Sequence, residues 1–69
     1  MTKKIKIEGM SCEHCVMHIT NALKEIAGVN HVKVSLADKT ADVDLNNTVT
    51  NNELINAIVA VGYDVVGIE

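Results

Sequence analysis

The chain has no proline, no tryptophan, no phenylalanine and no arginine, and Tyr63 is its only aromatic residue. Each absence excludes something. A surface for single-stranded nucleic acid stacks bases on aromatic rings, and those are missing. The six lysines are dispersed and the formal charge is −3, which argues against the basic stripe that nucleic acids demand. No apolar run approaches the roughly 20 residues needed to cross a bilayer. The basic start Met1-Thr2-Lys3-Lys4 runs into Ile5-Lys6-Ile7-Glu8 instead of an apolar signal core. No secretory signal is read, and the cytoplasm is the expected location. There, unpaired thiols stay reduced. Only two cysteines are present, Cys12 and Cys15. Three positions apart, they staple nothing, so disulfides do not hold this domain together.

What is there is aliphatic. Hydrophobic residues make up 48% of the 69 residues. That length fits one small domain, 1–69, and no more. Such a domain buries only about 60% of its unfolded surface, so the core must be well used.

Hydrophobic periodicity divides the chain into six elements. Lys3 to Glu8 alternates, with Ile5 and Ile7 on one face, and reads as a half-buried strand. Val16, Ile19, Leu23 and Ile26 recur at helical steps. Gly28 reads as the left-handed stop of that helix. Val32, Val34 and Leu36 alternate in a second strand, Ala37 to Thr40 reads as a hairpin turn, and Ala41, Val43 and Leu45 form a third strand. Asn46 to Asn52 is polar and reads as a loop. Thr50-Asn51-Asn52-Glu53 has the form of a capping box. Leu54, Ile55, Ile58 and Val61 form the second helix stripe, which Gly62 ends. Val65, Val66 and Ile68 make a last strand. The order β-α-β-β-α-β predicts an α+β, ferredoxin-like sandwich. Two helices cover one face of a four-stranded antiparallel sheet.

The chemistry is concentrated in Gly9-Met10-Ser11-Cys12-Glu13-His14-Cys15, where the first strand gives way to the first helix. A C-x-x-C at such a junction either binds a soft metal or cycles through a disulfide. The first cysteine is expected in the loop and the second at the helix start, with Ser11 as the helix cap. The helix N-terminus stabilises thiolate over thiol. Two thiolates without a third strong ligand suit a soft monovalent ion of low coordination number, Cu(I) above all. A closed zinc site usually needs four ligands. One chain offers Cys12, Cys15 and at most His14.

The same seven residues, the element order and the late Gly62-Tyr63-Asp64 resemble the heavy-metal-associated domain family over almost the whole chain, and within it the free-standing bacterial copper chaperones. The resemblance implies Cu(I) held by Cys12 and Cys15. It implies transfer, through shared thiolates, to the similar N-terminal domain of a copper-exporting P-type ATPase. The carrier would be monomeric when empty, with a metal-bridged dimer as an option. Met10 would point into the core beneath the loop, and Tyr63 would sit near the site. Ser11 stands where zinc- and cadmium-handling relatives often carry an acidic residue, which leans toward copper. Mercury carriers of the periplasm share the motif.

Plainer readings stand beside these. The thiols could be idle, or redox-active. A thioredoxin-like enzyme fits poorly, since no proline is available to stand between or opposite the cysteines. Met10 reads as a core plug before a thioether ligand. Tyr63 either hydrogen-bonds near a sulfur or simply packs. His14 could tune the thiolates, and His14 with His18 has the spacing to chelate a divalent ion. His18 and His31 are read most simply as facing solvent, and Asp42 and Asp44 as solvated charges. The rival functions are a zinc, cadmium or mercury carrier, a metal-binding domain of a longer ATPase, a thiol-disulfide oxidoreductase, and a module that dimerises through shared ions.

Overall fold

The alternation of Ile5 and Ile7 with charged neighbours sets the central strand. β1 spans Thr2–Glu8, with both isoleucines buried. The computed structural model describes all 69 residues, Met1–Glu69. After β1 come α1 (Glu13–Lys24), β2 (Val29–Ser35), β3 (Thr40–Leu45), α2 (Asn51–Ala60) and β4 (Asp64–Ile68). The sheet order is β2-β3-β1-β4 and every pairing is antiparallel. α1 lies over β2, α2 over β4, and the helices touch each other. This is the expected ferredoxin-like βαββαβ sandwich.

The core lies between sheet and helices. Ile5, Ile7, Ala41, Val43 and Leu45 face Ile19 and Leu23 of α1 and Leu54 and Ile58 of α2, with Met10 and Val49 closing the layer. Each large aliphatic side chain buried here stabilises the fold by roughly 1.5–3 kcal/mol. No helix is long and apolar enough to cross a membrane.

Four local outcomes differ from the sequence expectations. Gly28 has φ 98, but α1 ends at Lys24, so Gly28 is the entry to β2 and not the helix stop. A Cβ there would lie 2.7 Å from Val49 Cγ2. Val49 itself, inside the segment read as a polar loop, is buried. The hairpin turn closes over Leu36–Lys39, one residue early. Lys39 takes φ 56 and its carbonyl accepts from the Ile7 amide at 2.9 Å, which leaves Thr40 to begin β3. In β4, Ile7 pairs with Val65 but Lys6 pairs with Gly67. Val66 is the extra residue of a bulge. It is 65% exposed, while Val65 and Ile68, three apart, both pack against the core.

α2 ends as the sequence suggests. Its last carbonyls are satisfied by Gly62 N–H to Val59 O and Tyr63 N–H to Ile58 O, with Gly62 at φ 96. This is the Schellman pairing, which only a residue tolerant of positive φ completes without strain. Its consequence is functional: it fixes where Tyr63 leaves the helix.

Candidate metal centre

The cysteine pair sits on the first turn of α1. The helix cap is Cys12, not Ser11, because the Cys12 carbonyl accepts the amides of Cys15 (3.1 Å) and Val16 (3.3 Å). Ser11 lies one residue outside. The Cys12 side chain makes no capping hydrogen bond. Cap and third helical position are the two positions of a capping box, whose side chains turn toward each other over the helix end. Here cysteines occupy both. Their sulfurs lie 3.2 Å apart, far beyond the ~2.05 Å of a disulfide, and both thiols are free. Cys12 is exposed and Cys15 half-buried.

Met10 anchors the loop. It is 2% exposed and belongs to the core, so its thioether is a plug and not a ligand. Glu13 opens the helix, where a negative charge suits the dipole. His14 is exposed. No third His, Cys, Asp or Glu joins the cysteines in a group able to hold a metal ion.

Tyr63 arrives from the far end of the chain. A Cβ on Gly9 would lie 3.7 Å from its Cδ1, so the ring lies against the loop backbone. The Tyr63 hydroxyl is the main cause that pulls Cys15 down from 9.0 to about 6; backbone hydrogen bonds from Ser11 and Cys12 and the Cys12 side chain add to it. The phenol answers by rising to about 12, chiefly through its hydrogen bond to Cys15. The hydroxyl also lies 3.5 Å from His18 Nδ1.

The contact between His18 and Tyr63 is what sequence reasoning missed. His18 is solvent-exposed, as expected, yet bonded to Tyr63. One signal was available: it lies one turn after Cys15 on the same helix face. Its partner is 45 residues away, and local pattern does not reach that far.

The arrangement presents two sulfurs, at least one poised as thiolate at neutral pH, on an exposed edge with room for an incoming ligand. Residues 4–64 match the heavy-metal-associated domain. Copper chaperone CopZ of Staphylococcus epidermidis is 43% identical over 67 residues, covering 94% of this chain and 98% of that protein. Mercuric reductase of Shewanella putrefaciens is 44% identical over 59 residues, covering 86% of this chain but 11% of that enzyme. The chain thus spans only about a tenth of the length of such reductases. Among solved structures, a CopZ metallochaperone superimposes with a TM-score of 0.92 at 34% identity, covering 96% of this chain and 100% of that one. The copper chaperones among these relatives, which are not enzymes, are matched along nearly their whole length. With residues 4–64 matched and a full-length relative at 43% identity, this chain belongs to the heavy-metal-associated domain family.

Proposed function

We propose that this chain is a cytoplasmic carrier of Cu(I), bound by Cys12 and Cys15 and handed to the N-terminal metal-binding domain of a copper-transporting P-type ATPase. One observation carries the reading. Two sulfurs stand 3.2 Å apart on an exposed helix start, and no third ligand group joins them. A soft monovalent ion accepts low coordination by thiolates, whereas structural zinc asks for four ligands. Full-length similarity to copper chaperones supports the choice.

Transfer is ligand exchange without redox. A partner thiolate forms a Cu–S bond as a bond to Cys12 or Cys15 breaks, and copper stays Cu(I) throughout. Cys15, held near 6, leaves as thiolate above that pH and takes up no proton. The exposed Cys12 sulfur is the one open to a thiolate of the second domain.

Mercury is the second reading, favoured by the 44% identity to a segment of mercuric reductase. Hg(II) also prefers two thiolates. The full-length relatives favour copper.

The test is transfer. The Cu(I)-loaded chain is mixed with an isolated ATPase N-terminal domain, the two are separated by charge, and copper is measured in each. Copper shared between the two proteins, with a chelator present and little copper lost to it, is the expected result. Copper that stays on this chain, or escapes to the chelator, would count against the carrier.

A further inference from the structure

Met17 is 60% exposed on α1, a helix that buries its other large aliphatic side chains at Ile19 and Leu23. Its neighbours on the helix surface are His14, three residues before it, and His18, one after it; both are exposed too. Residues three and four apart on a helix are surface neighbours, with Cβ atoms about 5–6 Å from one another. His14, Met17 and His18 therefore occupy one face, within about 100° of arc at 3.6 residues per turn. Side chains of a helix lean toward its N-terminus, so Met17 and His18 both lie over the turn that carries His14. All three belong to the regular part of α1, Glu13–Lys24, so their spacing is fixed by the helix and not by a loop.

Each of these side chains carries one soft or borderline donor. Two imidazoles at i and i+4 on one helix face are a recurrent metal-chelating pair. No third His, Cys, Asp or Glu completes a metal-holding group anywhere in the chain, and the donor that stands beside this pair is the Met17 thioether. His18 Nδ1 faces the Tyr63 hydroxyl at 3.5 Å, which leaves Nε2 as the nitrogen free to bind. A ligating histidine is commonly oriented in this way, through a partner at its other ring nitrogen.

The donor set selects the ion. Thioether sulfur favours Cu(I), and imidazole suits copper as well. Zinc gains little from a thioether and asks for a fourth ligand. The position selects too. The site lies on the first turns of α1, where the helix dipole opposes a cation. That cost is smaller for one positive charge than for two.

We propose that His14, Met17 and His18 form a second Cu(I) site on the outer face of α1, separate from the cysteine pair. Its three ligands are neutral, so it holds the ion more weakly than two thiolates. Binding displaces solvent or a labile ligand from Cu(I), and copper stays Cu(I). In the copper reading, the site gives an ion a first hold one helical turn from the cysteines. That role rests on the proposed function, whereas the site itself does not.

The test removes the cysteines. The full chain carrying Cys12→Ser and Cys15→Ser is titrated anaerobically with Cu(I) against a chelator of moderate strength. One Cu(I) per chain is expected. His14→Ala and His18→Ala should each weaken it at least about tenfold, since even loss of an outer partner of a metal site costs about 10–100-fold. Met17→Leu keeps the bulk and removes the sulfur. It should weaken Cu(I) by at least about tenfold while leaving Zn(II) binding where it was. All three positions are exposed, and circular dichroism of each variant should match that of its parent.

A second readout is the methyl carbon of Met17 by NMR, which should shift with Cu(I) and stay in place with Zn(II). Equal Cu(I) affinity for the parent and Met17→Leu would overturn the three-donor site. So would a parent that binds no more Cu(I) than the chain lacking both His14 and His18, or one that holds Zn(II) more tightly than Cu(I). The cysteines are absent from every sample, so the second site and the carrier function fail separately.

Discussion

At the start of α2, Thr50 caps the helix and its Oγ1 accepts the Glu53 amide at 3.2 Å. Just before the cap, Val49 is buried in the same core as Leu54, in the manner of a hydrophobic staple. At the start of α1 the same two frame positions hold Cys12 and Cys15, and the cap side chain makes no hydrogen bond. The staple position holds exposed Ser11, and the loop is anchored one residue earlier by Met10. One helix start is satisfied by its own side chains. The other leaves its amides and dipole to stabilise sulfur charge. The geometry that closes a helix in one place opens a metal site in the other, and the difference lies in the residues at the staple, cap and third helical positions.

The comparison breaks most completely at Cys12. Cys12→Ser removes one of two sulfurs, and Cu(I) affinity should fall by well over the roughly 10–100-fold that follows loss of an outer-shell partner of a metal site. The same change installs a strong cap, so the metal-free fold should gain about 0.5–1 kcal/mol. Chelator competition and urea unfolding on one sample check both. A variant that lost stability would show that the α1 start is not short of a cap.

Met10→Ala tests the anchor of that loop. A buried Met→Ala change costs about 2–5 kcal/mol, a large share of the stability of a domain this small. Urea midpoints should drop accordingly, while an anchor of no importance would leave them in place.

Thr50→Ala makes α2 resemble α1. The loss should be about 1 kcal/mol, with copper retention unchanged, since Thr50 is remote from the cysteines in the sequence and starts the other helix. A weaker copper complex would mean that the two helix starts are coupled.

Tyr63→Phe sharpens the comparison through pH. Cys15 is depressed from 9.0 to about 6, first by Tyr63. A depressed acid adds stability that is fully present above the unfolded value and is lost as pH falls through the folded one. The metal-free wild type should therefore gain stability between pH 6 and pH 9. Tyr63→Phe should flatten that rise. Unfolding midpoints across this window decide it, and identical slopes would remove Tyr63 from the account.

Much of this was legible in the sequence, because periodicity is local. Ile5 and Ile7, Ile19 and Leu23, and Leu54 and Ile58 face the core where their spacing put them. The Thr50 cap was readable, although only the threonine half of the box forms a hydrogen bond. The cysteine motif announced itself by spacing, and the place of Met10 in the core followed from the strand-exit pattern. The misses depend on partners far along the chain. Gly28 is needed because Val49 approaches its backbone. The Val66 bulge exists only in register with β1. Ser11 was the better cap by residue type, and Cys12 took the place because the helix starts one residue later. The contact of His18 with Tyr63 exists only because the fold brings residues 45 positions apart together.

The measurement closest to the central claim is an anaerobic Cu(I) titration against a competing chelator. Zn(II) is run alongside, and Cys12→Ser serves as control. One tightly held Cu(I) per chain is predicted, lost in the variant and not displaced by Zn(II). Preferential retention of Zn(II), or no tight binding of either ion, would contradict the account.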